Sequence, residues 1–241
     1  MAFTATQVMK RASTILQDAG AIRWTPPELL DWLNEGLRAI VAIKPNAKAG
    51  NVILTLAAGT KQTLPEPYTV LSRVIRNVGV APGNLPGNAV RVLQNREILD
   101  AQIPNWHALT PVAEVAMVWS DLMALREFWV APPNNGSGRV EATVGMLPSE
   151  VPLPDGGGLN IESYTTNVDL PDIYQPILLD FMLFRAFSKD SAAPDAAQRA
   201  TTHLQLASTA LQALGGGEAA VSLASAYVTG GPQAGGNPPW S

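Results

Sequence analysis

The 241-residue sequence contains no cysteine and two histidines, His107 and His203. The first absence excludes a disulfide framework, a thiolate metal site and a cysteine nucleophile. A multi-histidine metal centre would need both histidines plus carboxylates from distant parts of the chain. Charge is also sparse. Charged residues make up 15%, with 16 Lys+Arg against 20 Asp+Glu and a formal net charge of −4. A general nucleic-acid binder carries a basic face, whereas here the basic residues are dispersed and Lys10-Arg11 is the one adjacent pair. Long apolar runs are missing too. The most apolar stretch, Ile173 to Phe187, is interrupted by Gln175, Asp180 and Arg185. It falls short of the roughly 20 residues that span a bilayer. Met1 to Lys10 lacks the apolar core of a secretion signal. A soluble protein without membrane contact is expected, and the lack of cysteine fits synthesis in a reducing compartment. No internal repeat of fixed period is present.

At 46% hydrophobic residues, the chain has enough apolar material for a sizeable core. It opens with two helical patterns. Thr4 to Ala19 places Val8, Ala12, Ile15 and Ala19 on one face, with Gly20 as the residue that ends the helix. Thr25-Pro26-Pro27-Glu28 then fits a capping box with proline at the first helical position. Leu29, Leu33, Leu37 and Ile40 form the apolar stripe that follows, until Lys44-Pro45 stops it.

From Asn51 the period changes to two. Val52, Leu54 and Leu56 alternate with Ile53 and Thr55. Ala57 to Thr60 reads as a hairpin turn, with Lys61 to Leu64 returning. Val70, Val74 and Val78 suggest a third strand on one face with Ser72 and Arg76. Ala89 to Leu93 is a short strand, and Asn95 caps a small helix to Gln102. Val115 to Trp119, Glu127 to Ala131 and Arg139 to Met146 complete about seven strands, with Pro132-Pro133 stopping the second of these. A small antiparallel sandwich or barrel is the natural closure. Pro148 to Thr166 is a loop whose Gly156-Gly157-Gly158 lacks the lysine and the strand-to-helix context of a phosphate cradle.

Leu170 to Tyr174 opens a helix to Lys189 with almost no polar face, as expected of a helix buried on all sides. The next helix, Asp195 to Leu214, steps by three and four through Ala197, Ala200, Leu204, Ala207, Leu211 and Leu214. Its length favours packing on the preceding helix over a free coiled coil. Gly215-Gly216-Gly217 is expected to end it. The remaining residues carry one charge, Glu218, and cannot form a core alone. Val221, Leu223, Tyr227, Val228 and Trp240 make this tail a candidate arm that orders on a partner.

No catalytic constellation emerges. Gly136-Ser137-Gly138 is a turn and not a nucleophile elbow. Asp169 and Asp172 suit a helix start, and Asp180 and Asp190 lie off a common helical face. His107 and His203 have no ligand or base partner at motif spacing and read as structural or solvated.

Several segments, in this order, carry a resemblance to a known family. They are Trp24 to Gly36 with Ala39-Ile40-Val41 and Lys44-Pro45, Ala58 to Pro65, Phe128 to Pro133, Leu170 to Tyr174, Phe184 to Asp190, and Gln198-Arg199-Ala200 with His203. Together they resemble the head-to-tail adaptor (connector) proteins of tailed bacteriophages, the short-tailed kind especially. The resemblance covers about residues 5 to 214. The Gly/Ala/Pro tail matches no motif.

The resemblance implies a structural virion protein without enzymatic activity or cofactor, made in the bacterial cytoplasm and located at the neck. Such adaptors form a homo-oligomeric ring, commonly of about twelve copies. They join the portal protein to a tail tube or nozzle protein, and the genomic DNA passes through without sequence-specific binding.

The expected fold is α+β. Residues 1–48 and 167–214 form a helical bundle, 49–166 a β-rich insertion, and 215–241 an extended arm. Ile177, Phe181, Phe184, Leu204 and Leu211 are the candidate bundle or ring-interface residues. Val221, Leu223, Tyr227, Val228 and Trp240 are the candidate contacts to the portal or a neighbouring subunit. Two other readings stand beside this one, and a DNA-binding regulator is a third that the lack of a basic stripe counts against. One is a tail-completion or tail-terminator protein. The other, from a different class, is a small-molecule-binding or hydrolytic β-rich domain, which would need a convergent polar pocket.

Overall fold

A computed structural model describes residues 2–79, 85–93, 95–120, 123–190 and 193–229, as backbone alone from 216 onward. Among the described residues, five α-helices and two four-stranded sheets make an α+β chain. It divides into two compact units. One takes 37–151 and 167–172; the other takes 3–36, 152–166 and the chain from 173 onward.

The first unit holds the strands. β1 (Ala49–Thr55), β8 (Arg139–Met146), β3 (Tyr68–Val78) and β4 (Pro86–Ala89) form one sheet in that order. β2 (Ala58–Thr63), β7 (Glu127–Asn135), β6 (Met117–Ser120) and β5 (Arg91–Leu93) form the other. Leu54, Leu71, Val74, Val140, Ala142 and Val144 from the first sheet share one apolar cluster with Val118, Phe128 and Val130 from the second. Each fully buried side chain of this size contributes roughly 1.5–3 kcal/mol. The result is a sandwich of two open sheets, not a closed barrel. Val140, Ala142 and Val144 alternate inward as their period requires.

A second cluster, Leu93, Leu99, Trp106 and Ala131, lies where β5 and β7 meet the short helix α3 (Arg96–Gln102). Asn95 caps α3 by accepting from the Glu97 N–H at 2.9 Å.

Four sequence expectations change here. β1 and β2 are not a hairpin; they pair with β8 and β7, in different sheets. The inward face of β3 is not the strict alternation of Val70, Ser72, Val74, Arg76 and Val78. Three register shifts along its pairing with β8 move the buried positions to Leu71, Val74, Asn77 and Val78. Ala89 to Leu93 is two strands in two sheets, broken at Val90, and β5 pairs with β6 in parallel. β7 runs through Pro132-Pro133 to Asn135. The prolines fit because β7 needs only a carbonyl there: Val112 N–H donates to Pro133 C=O at 2.9 Å.

The chain changes sheet after β1, after β2, after β4 and after β7. At three of these crossings a buried side-chain amide replaces the missing ladder. Gln62 accepts from the Ala57 N–H (2.7 Å) and donates to the Ala57 and Gly59 carbonyls (2.9 and 3.1 Å). Asn77 accepts from the Val115 N–H (2.9 Å) and donates to the Val115 and Asn88 carbonyls (2.8 and 3.0 Å). Asn134 accepts from the Gly136 and Gly138 N–H groups and donates to the Val112 and Ala113 carbonyls. A carboxamide suits this work because it carries donor and acceptor at the spacing of a peptide group. Gly138 is required beside it, since a Cβ there would lie 2.1 Å from Asn134 Nδ2.

The second unit is helical. It contains α1 (Ala5–Ile15), the first part of α2 (Pro26–Ile43), α4 (Gln175–Lys189) and α5 (Ala196–Thr229). Thr4 and Gln7 form a reciprocal capping box at the start of α1. The buried face of α1 is Ala5, Val8, Met9, Ala12 and Ser13, while Ile15 and Ala19 are exposed. The helix ends four residues before the expected Ala19. Gln17, not Gly20, takes the left-handed conformation, at φ 56°.

Asp18 follows, and its carboxylate accepts from the N–H groups of Ile22, Arg23 and Trp24. Burial alone would raise this carboxyl. The three N–H donors and the Arg23 charge outweigh burial and hold it below the ordinary carboxylate value.

α5 does not stop at Gly215–Gly217 but continues to Thr229. Glycine weakens a helix by about 1 kcal/mol relative to alanine without removing a donor. The first proline after it is Pro232, and alanine-rich sequence flanks the glycines. The expected extended arm is therefore helical in backbone over its first part.

Candidate interaction surfaces

α4 sits at the centre of the helical unit. Ile177, Leu178, Leu179, Met182, Leu183, Ala186 and Phe187 are buried. Phe181 and Phe184 are half-buried and meet edge to face at 5.9 Å between centroids. Near-complete burial needs neighbours on several sides. On one side, α2 approaches closely at Gly36, where an added Cβ would lie 2.6 Å from Leu178 Cδ1 and 2.9 Å from Phe181 Cδ1. Charged pairs flank this contact. Arg185 donates to Glu35 with Nε at 2.9 Å and a second guanidinium nitrogen on the other oxygen, and Lys189 meets Glu28 at 2.6 Å. Trp24 donates its indole N–H to the Ala186 carbonyl at 3.3 Å.

On another side lies α5, whose seam differs from the expected one. Up to Gly215 its buried residues are Ala196, Ala200, Ala207 and Leu211; Ala197 is exposed and Leu204 is 40% exposed. His203 takes the interior place that Leu204 was expected to hold. Its Nδ1 lies 2.9 Å from Asp180 Oδ1, and its ring stacks on Phe187 at 5.6 Å and 12°. The spacing 196, 200, 203, 207, 211, 214 also steps by threes and fours, with one four repeated between His203 and Leu211. Ranking leucine above histidine hid it.

Of the five candidate packing residues, Ile177 and Leu211 are in the core, Phe181 and Phe184 are half-buried, and Leu204 is at the rim. Phe184 and Leu204 line one groove with Phe187, Pro194, Ala197 and Ala200, of about 500 Å³. Ser188 and Thr201 also line it, but their hydroxyls donate back to the Phe184 and Ala197 carbonyls at 2.7 and 2.9 Å. These two hydroxyls have their protons engaged within their own helices, and the groove lining is mixed, more apolar than polar. Arg199 lies beside it, over the Phe187 ring at 5.7 Å. The sequence reading missed Phe187, Pro194 and Thr201. Their signal was the i, i+3 and i, i+4 spacing Phe184–Phe187–Ser188 and Ala197–Ala200–Thr201–Leu204.

The five arm residues divide by position. Val221, Leu223, Tyr227 and Val228 fall on the backbone of α5, and Trp240 lies outside the described residues.

The residues tested for chemistry are kept apart. Asp180 meets His203 and Asp190 meets Arg23. Asp169 meets Lys48 and accepts from the Ser149 N–H; burial pushes its carboxyl up, and these two partners bring it below the ordinary value. His107 is exposed, stacked on Trp106 and 2.8 Å from the Thr60 hydroxyl. Ser137 donates to Asn135 in the β7–β8 turn. Among the described residues no group of three or more His, Asp or Glu is placed to hold a metal ion, and no helix is long and apolar enough to cross a membrane.

Comparison with known proteins gives one family. The family model described as SU10 adaptor protein matches residues 3–230, nearly the whole chain. No curated protein matches the sequence.

Proposed function

Because this chain belongs to the SU10 adaptor protein family, we propose that it assembles as a ring that joins the portal to the tail and surrounds the DNA channel. The family is one of phage adaptors, so the role is structural, in the virion neck. Adaptor families of this kind are not normally enzymatic. The match over residues 3–230 is the observation that carries the reading.

The ring would hold about twelve copies, each giving one surface to one neighbour and a different surface to the other. The helical segments 1–48 and 167–214, with Ile177, Phe181, Phe184, Leu204 and Leu211, would supply the bundle and part of the contact between copies. Residues 49–166 would form the β-rich part, and a tail tube or nozzle protein would bind below. Val221, Leu223, Tyr227, Val228 and Trp240, in the arm 215–241, would contact the portal or a neighbouring copy. The net charge of −4 supports free passage of DNA, because acidic groups repel phosphate.

The test is mass by light scattering, on the purified protein alone and after mixing with its portal ring. The expected result is a complex with about one adaptor per portal subunit. Absence of any portal association would overturn the joining role.

A further inference from the structure

We infer that the free edge of β1 pairs with β1 of a second copy of this chain, antiparallel and about a two-fold axis, joining two four-stranded sheets into one. The inference goes beyond the ring reading. A ring repeats a contact between two different surfaces, whereas here one surface meets itself.

The backbone supplies the first observation. Leu56 donates its N–H to the Gly138 carbonyl at 2.8 Å, one step beyond the last β1–β8 pair, Thr55 with Arg139. In an antiparallel pair, bonded residues alternate with unbonded ones. Gly50, Val52 and Leu54 therefore turn their peptide groups to β8, and Ala49, Asn51, Ile53 and Thr55 turn theirs to the free edge. Among the described residues, no strand other than β8 pairs with β1.

The second observation is a contrast among the four sheet edges. Folds protect such edges with short length, lysine, proline or a bulge. β2 has Lys61 and a register shift between Gly59 and Lys61. β4 has four residues, Pro86 among them, and its own register shift. β5 has three residues, one of them Arg91. β1 runs for seven residues in unbroken register, and neither charge nor proline occurs from Ala49 to Thr60. An edge of that length without protection is a template for another strand.

The third observation selects a second copy of β1. A two-fold through Ile53 sets that residue opposite its mate, and Asn51 opposite Thr55 of the second copy. Every outward peptide group then meets an outward peptide group, in about six hydrogen bonds. The inner faces also continue, because Val52 comes opposite Leu54 of the second copy. On the outer face an amide meets a hydroxyl. A two-fold sets any charge at the axis against its like, and this strand carries none. The other edges of a second copy match β1 less well: β2 is broken by its shift, β4 lacks an N–H at Pro86, and β5 is too short.

A seven-residue strand is about 23 Å long. A contact that narrow falls below the roughly 1,200 Å² of stable interfaces, so a weak dimer is expected, with Kd about 0.1 mM.

The test is residue-resolved amide hydrogen exchange on the full-length protein without portal, at about 10 μM and about 1 mM, with mass by sedimentation equilibrium alongside. At the low concentration Asn51, Ile53 and Thr55 exchange fast while Val52 and Leu54 are protected. At the high one the mass rises toward a dimer and the three fast groups slow about fourfold. Ile53→Pro removes an N–H that faces the free edge, so the β8 ladder is spared and both changes vanish, with circular dichroism checking the fold. A pair of charge variants at exposed positions supports the register independently of proline. Asn51→Lys with Thr55→Glu sets opposite charges across the axis and tightens the dimer about three- to tenfold, and Asn51→Lys with Thr55→Lys loosens it.

No rise in mass at the high concentration, or a rise that leaves the three N–H groups fast, overturns the inference. So do equal effects of the two charge variants. Protection that arises only when portal is added also overturns it, and assigns the edge to another partner. A protein that joins the portal but never dimerises alone refutes this contact and leaves the ring reading standing. A dimer that never joins the portal does the reverse.

Discussion

The two units place polar groups inside a fold with a different emphasis. The β unit buries neutral amides. Gln62, Asn77 and Asn134 are 3%, 2% and 0% exposed, and each pairs with backbone at a point where the chain leaves one sheet for the other. The helical unit also buries one amide, Asn34, and both units carry partly exposed charged pairs at the rim: Arg185 with Glu35 and Lys189 with Glu28 in the helical unit, Arg76 with Glu141 and Lys61 with Glu127 in the β unit. The difference follows from backbone accounting. A helix satisfies its own N–H and C=O groups, so its side chains need only set how neighbouring helices meet. A strand that changes sheet leaves its peptide groups without a ladder, and a buried one left unpaired costs about 1–3 kcal/mol. Directional, uncharged bonds are needed there, and charge would carry a larger desolvation cost.

The strongest way to break the comparison is at Asn134. Asn134→Leu keeps the bulk but strips partners from two N–H groups and two carbonyls. A loss of about 3–4 kcal/mol is expected, read as a lower denaturant midpoint. A loss under about 1 kcal/mol would mean that water replaces the amide and that the staple is dispensable.

Next comes Gly36→Val in the helical unit. The added carbons meet Leu178 and Phe181, so α2 and α4 must separate, at a cost of about 1–3 kcal/mol. Unchanged thermal stability would show that the close approach is not needed.

A double-mutant cycle on Glu35→Gln and Arg185→Gln should give a coupling of about 0.5–1 kcal/mol that shrinks in 1 M salt. The loss of stability on Asn77→Leu should be indifferent to salt, because its partners are backbone groups. Equal salt sensitivity in both would erase the distinction between the units.

The smallest effect is with pH. Asp18 titrates lower in the folded chain than in the unfolded one. Its contribution is therefore complete above the unfolded value, about 3.9, and is lost as pH falls through the lower folded value. Hydrogen exchange at Ile22, Arg23 and Trp24 should be flat from pH 7 to 5, after correction for intrinsic rates, and quicken below about 4. Asp18→Asn should flatten that onset, and an unchanged profile would assign it to other carboxylates.

How much of this was legible depended on whether a pattern was local. α2, α3 and α4 could be read because caps, prolines and apolar periodicity act within a few residues. The inward face of β8 was legible because its register is unbroken. β3 was not, because its shifts belong to the pairing with β8 rather than to its own composition. The β1–β2 hairpin failed for a similar reason. Ala57 to Thr60 has turn chemistry, but the buried Gln62 amide turns it into a corner between sheets. Among the candidate surface residues, Leu204 was found and His203 was set aside, since a partner 23 residues away leaves no trace at motif spacing.

By itself, the sequence determined the α+β class, the helices α2, α3 and α4 with the Asn95 cap, the absence of thiol chemistry and the order of segments that marks a phage adaptor. Those properties rest on local sterics, composition and linear order. The tertiary structure decided which strands share a sheet, where neutral amides replace a ladder, which face of α5 is buried, and that Phe184, Phe187 and Leu204 form one groove. Each of those is a choice among partners distant in sequence, settled by which arrangement leaves the fewest buried peptide groups unpaired and the least apolar surface in water.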